Sequence, residues 1–136
     1  TARHYAASAV VDENVYIIGG RIEWTLPITN VNVTEMYDPK MDKWIKLKSM
    51  PSERSGITAT AYNDNIYVFG GEDITRTFEN NEKYNTKVDE WELEKSLPTS
   101  RHGLGSVYYD NKIYVIGGGP KPGLSTISTN EIFNLR

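Results

Sequence analysis

A chain of 136 residues with 38% hydrophobic and 24% charged residues can bury a core and is too apolar for a disordered tail. It has no cysteine, which excludes disulfide staples and Cys-based zinc sites, and its formal net charge of -3 argues against the basic face of a nucleic-acid binder. No apolar run approaches the roughly 18 residues that cross a bilayer as a helix.

Taken in chain order, the first predicted unit spans residues 1–51. It opens on Arg3-His4 and reaches an apolar run, Val15-Tyr16-Ile17-Ile18, that ends in Gly19-Gly20. A loop from Arg21 to Asn32 leads to Glu35, Tyr37, Trp44 and then Met50-Pro51. The second unit, 52–98, repeats that order with Arg54-Ser55, Ile66 to Phe69, Gly70-Gly71, Glu82, Tyr84, Trp91 and Leu97-Pro98. The third, 99–136, has Arg101-His102, Ile113 to Ile116, Gly117-Gly118, Glu131 and Phe133, and stops at its third strand with neither a Trp nor an outer strand. Each Arg precedes its Gly pair by sixteen residues, and each aromatic ring follows its Glu by two. Six landmarks in one order at a period near fifty define an internal repeat.

Within a unit the pattern is that of short strands. In the second unit, Ile57 to Tyr62 is small and β-prone, Asn63-Asp64-Asn65 is a turn, and Ile66 to Phe69 is a second strand. After the Gly pair and the loop Glu72 to Asn80, a third strand is expected over 81–85, a turn over 86–89 and an outer strand over 90–93. No helical period is present. The expected fold is all-β, built from four-stranded antiparallel blades, with about 2.75 blades in this chain. The Gly pairs let the backbone turn where a Cβ would collide. The rings of Tyr37, Tyr84, Phe133, Trp44 and Trp91 suit the space between sheets.

This order of Gly pair, Tyr and Trp at this period resembles the Kelch repeat, over essentially the whole chain. The resemblance implies a β-propeller in which Arg54, Arg101, Glu35 and Glu82 sit partly buried and pair within or between blades. A buried charge is costly unless paired, so a structural role is the simplest reading of these four. Closed propellers have roughly four to eight blades. In resembling proteins the last blade is often completed by a strand from the other end of the chain. Two arrangements then fit three units: one half of a larger propeller, or two copies meeting as a ring of six blades.

Catalysis finds little support. The copper-oxidase branch needs a Tyr–Cys pair, and no Cys is present; the iron-binding specifier branch needs Glu, Asp and His at four-residue spacing, which neither His4 nor His102 has. No Gly-x-Ser-x-Gly elbow occurs. No catalytic residue, metal ligand or cofactor is assigned. Binding is the better reading, because function in repeat folds concentrates in loops on one face. The candidate contacts are Arg3, His4, Trp24, Arg54, Ser55, Arg101 and His102, with a protein or peptide as the ligand and neither nucleic acid nor membrane as partner. Trp24, with Leu26 and Ile28, either stands out as a contact or folds back onto a blade. Adaptors that join Kelch propellers to BTB domains are similar over Glu35 to Pro39, and stand-alone prokaryotic Kelch proteins over Arg101 to Leu104 and Gly117 to Ser125. Some adaptors grip acidic peptides with Arg two places after the repeat Arg; here those places hold Tyr5, Gly56 and Gly103. A carbohydrate-active propeller, similar to sialic-acid mutarotases, and a purely structural assembly unit are the alternatives.

Overall fold

Two-residue turns set the strand lengths. Asp12 and Glu13 (φ 48° and 68°) and Asp110 and Asn111 (φ 47° and 58°) both adopt the left-handed conformation that a tight hairpin requires. They join β1 (Ala7–Val11) to β2 (Asn14–Ile18) and β9 (Gly105–Tyr109) to β10 (Lys112–Ile116). The computed structural model describes residues 1–136, and it has no helix. The remaining strands are β3 (Thr34–Asp38), β4 (Lys43–Leu47), β5 (Thr58–Tyr62), β6 (Asn65–Phe69), β7 (Asn81–Asn85), β8 (Glu90–Leu93) and β11 (Asn130–Asn134).

They form three antiparallel sheets in chain order: β1-β2-β3-β4, β5-β6-β7-β8 and β9-β10-β11. The all-β, four-stranded blade expected from the repeat is what the chain adopts. β1, β5 and β9 lie side by side as the inner strands. The hydroxyls of Thr58 and Thr60 on β5 meet Ser106 Oγ on β9 at 2.9 and 2.6 Å.

Strand alternation assigns each side chain to a neighbour. On β6, Ile66 and Val68 face the first blade and join Tyr16, Ile18, Met50 and Tyr84 in one core cluster. Tyr67 and Phe69 face the third blade and join Leu104, Ile113 and Val115 in the other. The middle blade is therefore covered on both sides. The flanking blades are covered on one side only, which leaves Trp44 60% exposed and Ile116 47% exposed. No sheet of this chain lies beside Trp44. Trp91, its equivalent, does pack against the core.

The Gly pairs couple one blade to the next. Gly70 has φ +66°, and a Cβ there would come within 2.5 Å of the carbonyl oxygen of Arg101. Gly71 N donates to that same oxygen at 2.8 Å, and Gly20 N does the same to Arg54 at 2.9 Å. The close approach that demands glycine is made by the backbone of the following unit.

Candidate functional site

Three carboxylates organise the blades from within. Arg54, 0% exposed, donates from Nη2 to Glu82 Oε2 at 2.9 Å and from Nε to Ser52 Oγ at 2.7 Å. Ser52 Oγ in turn donates to Glu82 Oε1 at 2.9 Å. Arg101 repeats this with Glu131 at 2.9 Å, and Thr99 Oγ1 donates to Glu131 at 2.6 Å. Arg3 pairs with Glu35 at 2.6 Å, and Thr1 Oγ1 donates to Glu35 at 2.8 Å. All three Arg also reach back to carbonyls at the second strand: Ile17, Val68 and Val115. Each pair closes within one blade. Burial pushes the Arg54 guanidinium below its ordinary range, against the pull of Glu82. Partial burial disfavours the Glu35 charge, but hydrogen bonds from Arg3 and Thr1 outweigh it and hold the carboxyl at about 2.

This geometry corrects part of the contact set expected from the sequence. Arg54, Arg101 and Ser55 are 0% exposed, so no atom of theirs meets a partner at the surface. The Arg3 side chain is 2% exposed. A guanidinium taken out of water needs its donors filled; the blade fills the Nη donors of all three, and Nε only in Arg54, since the buried Nε of Arg3 and of Arg101 has no partner. Glu82, with Glu35 and Glu131, completes these internal clamps.

The loop face is built by the residue after each Gly pair. Arg21 bridges His4, Glu72 bridges Ser55, and Gly119 bridges His102, each as one antiparallel pair. Both histidines then pin the loop above them. His4 Nε2 lies 3.0 Å from Glu23 O, and His102 Nε2 lies 3.0 Å from Lys121 O. A carbonyl only accepts, so both contacts place the proton on Nε2. Trp24 stacks on His4 at 3.9 Å with ring planes 7° apart, yet remains 76% exposed. Beside it, Arg21 lies 4.3 Å over the ring of Tyr5, and Tyr5 is held at φ 55° where the other repeats have glycine.

Glu72 joins all three blades. Gly123 N donates to its Oε2 at 2.8 Å, His102 Nδ1 lies 3.5 Å from the same oxygen, and Arg21 lies 3.6 Å from Oε1. Asn30 Nδ2 donates to its carbonyl at 2.8 Å. Above it opens a cavity of about 330 Å³ between Ile28, Ile74 and Pro122. Leu26 and Ile74 stand 69% and 61% exposed, and Leu124 is fully exposed. Sequence reasoning singled out neither Glu72 nor Arg21 nor Tyr5 as site residues. The signal that could have found the first two is their shared place directly after the Gly pair.

The architecture is a partial propeller with an apolar, loop-built face. The KLHDC2/KLHL20/DRC7 Kelch-repeats domain model matches residues 1–136. The chain therefore belongs to the Kelch-repeat family. It is 32% identical over 83 residues to beta-scruin of Limulus polyphemus, covering 61% of this chain and 8% of that protein. It is 37% identical over 71 residues to the N-acetylneuraminate epimerase of Shigella sonnei, covering 51% of this chain and 19% of the enzyme. An F-box/kelch-repeat protein of Arabidopsis thaliana is 34% identical over 70 residues, 52% of this chain and 18% of that protein. The chain thus spans less than a fifth of each of these relatives.

Proposed function

We propose that the chain is a non-catalytic interaction module whose loop face binds a protein or peptide. One observation carries this reading: Trp24, Leu26, Ile74 and Leu124, from loops of all three blades, stand between 61% and fully exposed beside a polar hub. Large apolar side chains gathered on one face mark an interaction site, and tryptophan is the residue most enriched among energetic anchors. His4 stacks under Trp24 and fixes its ring before a partner arrives, which lowers the ordering cost of binding. His102 positions the loop that carries Leu124. Arg3, Arg54, Ser55 and Arg101 support this face from beneath.

The test is a ligand selected from a peptide array and titrated against variants. Trp24→Ala and Leu124→Ala should each weaken binding at least tenfold (about 1.4 kcal/mol) with the melting temperature unchanged. Full affinity in both variants would remove the loop face as the site.

The 37% identity to an N-acetylneuraminate epimerase favours a second reading, a carbohydrate-active propeller. Its mark is faster interconversion of N-acetylneuraminate forms by NMR in the presence of the chain. No acceleration, together with a peptide ligand, leaves the binding reading alone.

The open sheet faces also need cover. On the first blade Val10 and Trp44 are 59% and 60% exposed, and on the third Val107 and Tyr109 are 52% and 68% exposed. A second copy closing a six-blade ring, or the other half of a larger propeller, would cover them. Native mass spectrometry distinguishes these, since only the first yields a particle near twice 15.4 kDa.

A further inference from the structure

His4 and His102 hold the same repeat position, yet their rings are used differently. Each Nε2 lies 3.0 Å from a loop carbonyl, Glu23 O for His4 and Lys121 O for His102. The two rings part at the other nitrogen. His4 Nδ1 is buried and has no partner, so a neutral ring meets every contact that His4 makes. His102 Nδ1 lies 3.5 Å from Glu72 Oε2, a carboxylate oxygen that only accepts.

A neutral His102 cannot serve both acceptors. With its one proton on Nε2, the bare Nδ1 faces Glu72 Oε2. With the proton on Nδ1, the bare Nε2 faces the carbonyl of Lys121. A neutral imidazole has one donor and one acceptor, whereas the imidazolium has two donors. Only the charged ring donates to both, and it sets a positive charge beside a carboxylate largely out of water. The side chains of His102 and Glu72 are 13% and 10% exposed.

The elements packed on His102 bring few other charges. The segment before β5 presents Gly56, which has none. Loop 119–125 presents the carbonyl of Lys121, a residue that is itself exposed. Asp73, next to Glu72, turns its carboxylate onto the backbone of Thr75 and Arg76. Arg101, next to His102, is paired with Glu131. Arg21 lies 3.6 Å from the far oxygen of Glu72 and shares that anion with His102.

The pair clasps one loop. Glu72 Oε2 also accepts from Gly123 N at 2.8 Å, so His102 and Glu72 hold loop 119–125 at Lys121 O and Gly123 N. Ser125 Oγ closes the loop on itself, donating to Lys121 O at 2.6 Å and accepting from Lys121 N at 3.1 Å. Leu124, fully exposed, is carried between these ties.

We propose that His102 and Glu72 form a proton-operated latch on loop 119–125, which ties the loop to the second blade and fixes Leu124 when His102 takes up one proton. The proton comes from solvent and binds Nδ1, which then donates to Glu72 Oε2. The contribution of the latch is present at low pH and lost as pH rises. Its consequence for a partner rests on the loop-face reading; the latch itself does not.

The test needs no ligand. Amide exchange in the 136-residue chain is measured by NMR at about pH 5.5 and about pH 8, on either side of the range in which histidine changes charge. Corrected for intrinsic exchange, Gly123 should be protected at least about fivefold more at the lower pH. Ile22 N, which closes the first loop onto Thr29 O, should show no such difference. His102→Gln and Glu72→Gln should each erase the response at Gly123. At the higher pH, ring nitrogen shifts should place the single proton of His102 on Nε2. Equal protection of Gly123 at both pH values, a rise of the same size at Ile22, or a response that persists in His102→Gln would overturn the latch. So would a neutral His102 with its proton on Nδ1, since the clasp would then close without proton uptake. If a variant does not fold, the comparison of Gly123 with Ile22 in the parent chain still decides.

Discussion

The second blade and the first carry the same landmarks in different surroundings. Ile66, Tyr67, Val68 and Phe69 on β6 are all buried, whereas on β2 only Tyr16 and Ile18 are. Tyr84 is 0% exposed and donates to Asp89 at 2.7 Å; Tyr37 donates to Asp42 at the same distance with one flank open. The motif builds the blade, and the neighbouring blade decides what each motif residue contributes.

That contrast is most sharply tested by removing equivalent side chains in pairs. Glu82→Ala leaves a fully buried guanidinium without its anion and should cost about 3–5 kcal/mol in urea unfolding. Glu35→Ala, at a clamp with partial exposure, should cost only about 1–2 kcal/mol. Equal losses would mean that the repeat alone sets the energetics. Next, Trp91→Ala removes a ring packed on the core and should cost about 2 kcal/mol, while Trp44→Ala should stay within about 0.5 kcal/mol. A large loss at Trp44 would show that its face is covered in solution.

A smaller effect separates the clamps by pH. The Glu35 carboxyl is lowered from 4.5 to about 2 in the folded chain. A depressed folded value means that its contribution is complete above the unfolded value and disappears as pH falls through the folded one. Stability from this clamp should therefore decline between about pH 4.5 and about pH 2. Melting temperatures across that window should fall less steeply in Glu35→Gln than in the parent chain.

The same contrast explains what the sequence made legible. The Gly pairs and the strands of the middle unit lie within one repeat, at fixed separations that recur, so period and order expose them; the pairing of Arg with Glu followed only from the resemblance, which left open whether it closes within or between blades. The exposure of Trp44 depends on which sheet lies beside it, and repeat position does not report that. Glu72 was hidden for another reason. Its partners, Asn30, His102 and Gly123, come from the neighbouring blades, and the loops that bring them share no pattern. Trp24 was legible as an apolar residue in a loop; its stacking on His4 was not, because the contact joins two segments of one blade that meet only once the blade has formed.

Native-state hydrogen exchange over β2, β6 and β10 tests most directly whether the neighbouring blade sets local stability. The slowest amides should lie in β6, which is covered on both faces, with β2 and β10 opening at lower free energy. Equal protection in all three strands, or faster exchange in β6, would contradict it.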